Sequence, residues 1–202
     1  MCHKRNQPFG TGVVARMLEL VIEEAELEDK QIAGEYFKFG AAAALALCAS
    51  LRGSKVFLLD LGGLWKYWEL GKEGIMPSNP MKTGLNLLNA PHVIATLIGQ
   101  FKGELGTRHH LIALASSTTL GIQLRWWLEK LTNLRAGEGC KTGLVFGNRD
   151  RSVGLMLEYN KILHNFLRRI QAEEPNLISL TDEIKINYNF LQSFGRTVEG
   201  RA

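Results

Sequence analysis

Apolar residues recur at helical spacing near the start of the chain. Val13, Met17, Leu20, Val21 and Ala25 fall on one face and predict a first helix over residues 12–28. A second, Ile32 to Leu51, is rich in Ala and almost continuously apolar along its later half, as a helix buried on most sides must be. Arg52-Gly53 interrupts it, and Ser54 is the predicted N-cap of a short helix running to Asp60. Two longer helices follow in the second half of the chain. Leu120 to Leu134 presents Leu124, Trp127, Leu128 and Leu131 on one face, and Leu155 to Ala172 presents Leu157, Ile162, Phe166 and Ile170.

Between these helices the period changes from 3.6 to 2. After the Gly62-Gly63 turn, Leu64 to Trp68 alternates and predicts a strand. Residues 71–91 hold three of the five Pro and read as a loop. His92 to Phe101 and His110 to Ala115 predict a hairpin across a Lys102-Gly103-Glu104-Leu105-Gly106 turn. Gly143 to Gly147 reads as a short buried strand or turn, and a last helix starts near Tyr188. The pattern predicts an α+β fold, mostly α, with a small three-stranded antiparallel sheet. Residues 1–14 form an N-terminal tail, and residues 15–202 a single domain.

Composition removes several classes. Of 202 residues 46% are hydrophobic and 22% charged, values that exclude a collagen, a disordered chain and a disulfide-stapled miniprotein. Cys2, Cys48 and Cys140 are odd in number and lack CxxC spacing, so neither a disulfide framework nor a metal site is expected. The N-terminus has charges but no apolar stretch after them, so no secretory signal is expected. The longest apolar run, Phe39 to Leu51, is shorter than the roughly 20 residues a membrane span needs. A soluble intracellular protein without membrane contact is expected, nuclear in a eukaryote and otherwise cytoplasmic.

Charge is segregated. Glu19, Glu23, Glu24, Glu26, Glu28 and Asp29 form an acidic block, whereas residues 100–170 carry eleven Lys and Arg against five acids. Arg108, Arg125, Lys141, Arg149, Arg151, Arg168 and Arg169 in that stretch are the candidate phosphate contacts for a double-stranded DNA partner.

Several segments, taken in order, resemble the catalytic domain of the tyrosine recombinase (phage integrase) family, closest to a divergent eukaryotic-type branch. Ala49-Ser50-Leu51-Arg52-Gly53-Ser54-Lys55-Val56-Phe57-Leu58-Leu59-Asp60 looks like the family segment that carries its first catalytic arginine, here Arg52. Ile98 to Leu111 looks like its β-hairpin, whose turn lysine is a general acid on the leaving 5′-hydroxyl, here Lys102. Phe190 to Ala202 looks like the helix start that carries His-x-x-Arg or Arg-x-x-Arg, with Gln192 and Gly195 at those two positions and Arg196 one residue late. Lys55 stands where the family has Glu, and the sequence ends where the family continues to its tyrosine nucleophile. The resemblance implies a DNA breaking-rejoining core, DNA recombination and integration as the activity, no cofactor, no metal, and self-association on DNA.

The chemistry needs these residue types together. Two arginines neutralise the phosphorane, a tyrosine forms a covalent 3′-phosphotyrosine, and a lysine protonates the leaving oxygen. With the second arginine and the nucleophile unmatched, a DNA-binding protein without strand cleavage is expected. Each residue also has a structural reading. Arg52 suits a helix C-terminus, and Lys102 suits a solvated turn. His109 and His110 must face opposite sides of a strand, which argues against a shared metal. Trp127 belongs to the apolar face of its helix, and Trp126-Trp127 would otherwise offer a base-stacking surface. A helical protein-interaction domain with no nucleic-acid role is the competing expectation.

Overall fold

The computed structural model describes residues 11–49, 53–64, 92–100, 105–118, 121–147 and 152–178. Along these the chain forms α1 (Thr11–Leu27), α2 (Lys30–Cys48), α3 (Gly53–Val56), β1 (His92–Gly99), β2 (Arg108–Ala115), α4 (Leu124–Gly137) and α5 (Ser152–Glu173). The N-terminal tail up to residue 10, residues 65–68 of the expected strand, the 71–91 loop and the helix expected from Tyr188 lie outside the described residues.

α2 is the centre of the fold. The Asp29 carboxylate accepts hydrogen bonds from the Gln31 and Ile32 amides and so caps its first turn. From Phe39 to Leu47 every residue is buried, so this part of the helix has no solvent face. α1, α4 and α5 all pack on it. The α1 stripe predicted from the sequence is buried throughout, as are Leu124, Trp127, Leu128 and Leu131 of α4. At about 1.5–3 kcal/mol for each fully buried large side chain, these stripes are the main stabilising term.

The α2–α4 contact depends on a missing side chain. A Cβ on Gly40 would lie 2.2 Å from Cζ3 and 2.5 Å from Cη2 of Trp127, so the indole rests directly on the α2 backbone. Phe39 packs on the other side against Tyr159 and Phe166 of α5, at 5.7 and 6.2 Å between ring centroids. The α5 stripe differs from the expected one. Leu157 is 61% exposed, and the buried positions are Tyr159, Leu163, Phe166, Leu167 and Ile170. Placing Tyr159 among Phe39 and Phe57 rotates Leu157 towards solvent.

The sheet differs as well. β1 and β2 pair antiparallel from His92↔Ala115 to Gly99↔Arg108, and among the described residues the sheet has two strands, not three. The place beside β1 is taken by residues 58–60 through a single bridge, Leu59↔Leu97, with Ile98 N–H donating to the Leu58 carbonyl and Asp60 N–H to that of Thr96, both at 2.8 Å. A second bridge, Asp60↔Leu144, adds the 143–147 segment, whose Val145 and Phe146 are buried. The chain then turns away because Asp60 starts a helical turn at residues 61–64. Its carboxylate accepts from the Gly63 amide at 2.8 Å, so Leu64, the first residue of the expected strand, lies in a helical turn. α3 is correspondingly shorter than expected. Ser54 lies inside it rather than capping it, and Leu59 and Asp60 already belong to the bridges.

An ionic cluster joins α1 to the end of α5. Arg16 meets Glu19, Glu23, Glu173 and Glu174, and Arg169 meets Glu23, Glu24 and Glu173. Both guanidiniums are held above their ordinary value, chiefly by these carboxylates, and hydrogen bonding from Arg169 holds the Glu173 carboxyl below its own.

Two outcomes follow from this packing. Gly40→Ala should destabilise the fold by about 1–2 kcal/mol despite the better helix propensity of Ala, because a rigid indole cannot yield as a flexible side-chain end would; chemical denaturation measures the sign. Because the Glu173 carboxyl is depressed in the folded state, its contribution is complete above the unfolded carboxylate value near 4.3 and is lost as pH falls through the lower folded value. Thermal unfolding followed from pH 7 to pH 3 should therefore show a shallower acid decline in Glu173→Gln than in the unaltered chain.

Candidate nucleic-acid interface

Arg52, Lys102, Gln192, Gly195 and Arg196 lie outside the described residues, as do Arg149 and Arg151. What the structure describes is the frame on either side of the first two. α2 ends at Cys48 with Ala49 as its C-cap, and the chain is described again from Gly53, which opens α3. Lys55, at the third position of α3, reaches across to the end of β1, where its ammonium donates to the Gln100 carbonyl. One residue back along β1, Gly99 lies against Leu58, and a Cβ there would come within 2.4 Å of the leucine Cδ1.

The start of α3 and the end of β1 are thus joined at one corner, by one charged hydrogen bond and by the backbone bonds of Leu58, Asp60 and their β1 partners. Arg52 lies three positions before Lys55 in the chain, and Lys102 two positions after Gln100. Arg108 belongs to the same corner. It is the first residue of β2, pairs with Gly99 and is exposed. His109 beside it is exposed and His110 is half-buried, the opposite-facing arrangement expected of neighbours on a strand.

The other described candidates do not join Arg108 in one patch. Arg125 donates its amide to the Ser116 carbonyl just past the far end of β2, about eight residues or roughly 26 Å along the strand from Arg108. Its side chain is half-buried. Lys141 is exposed and lies before Gly143, whose carbonyl accepts from Leu61, so it enters the bridged strip at the end away from the corner. Arg169 is committed to the α1–α5 ionic cluster, and Arg168 beside it is exposed. Tyr159 on the same helix meets Phe57 just after α3, so Arg168 and Arg169 sit about ten residues, or roughly 15 Å, along α5 from the corner side.

The tyrosine and tryptophan positions are equally defined. The Tyr159 ring is 3% exposed and lies 5.9 Å from Phe57 and 5.7 Å from Phe39 between centroids. Burial, with Glu35 and Glu158 adding to it, pushes its phenol well above the ordinary value. It can neither meet a phosphate nor ionise readily. Trp127 is a core residue at 3% exposure. Trp126 is half-buried, and the Lys130 ammonium stands 5.3 Å from its ring and 5.8 Å from Phe37, so a cation already occupies the stacking surface that Trp126 would offer.

The sequence marked Lys55 only as a departure from the family's Glu, without a partner for it, and assigned no role to Asp60. Nothing local marks a lysine that will reach a strand end 45 residues later. Asp60 did carry a signal: an Asp three positions before Gly63 fits an N-cap. Among the described residues no group of three His, Cys, Asp or Glu could hold a metal ion, and no helix is long and apolar enough to cross a membrane. Comparison with family models, curated proteins and solved structures gives no match.

Proposed function

We propose that this chain is a tyrosine recombinase-like domain that binds duplex DNA through its phosphates at the α3–β1 corner and does not cleave it. The observation that carries this reading is the joining of α3 to the end of β1, with Arg108 exposed beside it. In sequence, the two residues that the resemblance assigns to catalysis, Arg52 and Lys102, flank that junction from its two sides. Fixed cations around one point are what a phosphodiester requires, since their charge replaces released counterions without reorganisation. The absence of cleavage rests on Gly195 at the second arginine position and on Tyr159, whose buried phenol offers no attacking oxygen. Arg125, Lys141 and Arg168 play at most a peripheral part in this reading, and Arg169 none.

Titration of labelled duplex from low to physiological salt should give weak binding with a log–log slope of about 0.9 per phosphate neutralised. Arg108→Ala should lower that slope by about one, whereas Lys141→Ala should leave it nearly unchanged. No binding at low salt, or a slope near zero, would sink the reading. On nicked suicide duplexes of random sequence the chain should leave no adduct stable in denaturant, and an adduct mapping to Tyr159 would overturn the assignment of a non-cleaving domain.

A further inference from the structure

We propose that the free edge of β2 is a self-association surface, on which a second copy of this chain adds its own β2 antiparallel and joins the two hairpins into one sheet. The inference does not rest on the DNA reading.

The backbone bonds of β1 identify the free groups of β2. Ile98 N–H donates to the Leu58 carbonyl and Asp60 N–H to that of Thr96, so Thr96 and Ile98 turn their backbone groups towards residues 58–60. Backbone direction alternates along a strand, so Val93, Ala95, Leu97 and Gly99 turn theirs towards β2. Their partners in the register are Leu114, Ile112, His110 and Arg108. His109, Leu111, Ala113 and Ala115 therefore aim N–H and C=O away from β1, and among the described residues β2 pairs with β1 alone. All four are exposed, Leu111 at 65%.

This edge lacks the devices that keep strands apart. β2 holds no Pro, Gly or Lys, its fixed charge Arg108 sits at one end, and its register runs without a bulge. The side-chain pattern fits a second copy. With that copy reversed about Ile112, Leu111 of each faces Ala113 of the other, and His109 faces Ala115. Every outward pair then sets a bulky residue against a small one, and all the outward N–H and C=O groups are bonded. Antiparallel pairing also holds the two Arg108 residues about eight positions, or roughly 26 Å, apart, whereas parallel pairing would set them side by side.

Sedimentation of the full chain from about 1 to about 500 µM should pass from the monomer to twice the chain mass. Over that range, hydrogen exchange at the His109, Leu111, Ala113 and Ala115 amides should slow about 10-fold or more. The Ile112 and Leu114 amides, already bonded to β1, should keep their rates. Ala113→Pro removes one outward N–H and leaves the β1 ladder alone, and Leu111→Lys puts a charge on the edge; each should weaken the dimer about 10-fold or more. Leu111→Lys changes an exposed side chain, so it decides the matter even where the proline disturbs the strand. A chain still monomeric at the highest concentration would overturn the proposal and leave the edge to a strand of another protein. A dimer whose four outward amides exchange as in the monomer, or which ignores Leu111→Lys, would overturn it too, by placing the contact on another face.

Discussion

The unbroken burial of α2 from Phe39 to Leu47 is the constraint on which the rest of the molecule depends. An amphipathic helix needs one covering layer, but a helix apolar on every side must be enclosed. α1, α4 and α5 enclose it by different means. α1 folds back across the Asp29 cap, α4 lays Trp127 on the bare backbone of Gly40, and α5 brings Tyr159 and Phe166 to Phe39. Because these contacts are tight, the end of α2 has little freedom.

The hairpin is positioned from the corner and not by helical packing alone. Two strands with one exposed edge make a marginal unit, and a hairpin gains stability when a third chain segment or a packed layer supports it. Here residues 58–61 provide that support through single bridges, joined to β1 on one side and to the 143–147 segment on the other. Among the described residues, this strip takes the place of a third full strand beside β1. Asp60 spends its amide on β1 and its carboxylate on the next helical turn, so the chain can pair for about three residues before it bends away.

Charge is divided in the same way. The acidic block of α1 is not an acidic surface awaiting a partner, since Arg16 and Arg169 bind much of it at the α5 interface. That commitment lies about 15 Å along α5 from the Phe57–Tyr159 contact, away from the exposed Arg108 at the start of β2. A net count of Lys and Arg over residues 100–170 treats Arg169 and Arg108 alike. One is ion-paired at the half-buried α1–α5 contact and the other is exposed at a strand end.

Period and composition by themselves determined the four long helices, the two strands of the hairpin, and most of the buried stripes. Each is decided by residues three, four or two positions apart, so local spacing is sufficient. The same spacing misplaced Leu157, because which face of α5 turns inward depends on where Phe39 and Phe57 meet it. It began a strand at Leu64, where the structure has a helical turn, because the cap that starts that turn is a hydrogen bond from Gly63 and not a feature of hydropathy. It grouped Arg108, Arg125, Lys141 and Arg169, which the fold sends to separate places. Only the tertiary structure joined Lys55 to Gln100 and spent Arg169 on Glu24. Those contacts span 45 and 145 residues, and long-range pairing of single charges leaves no period in the sequence from which it could be read.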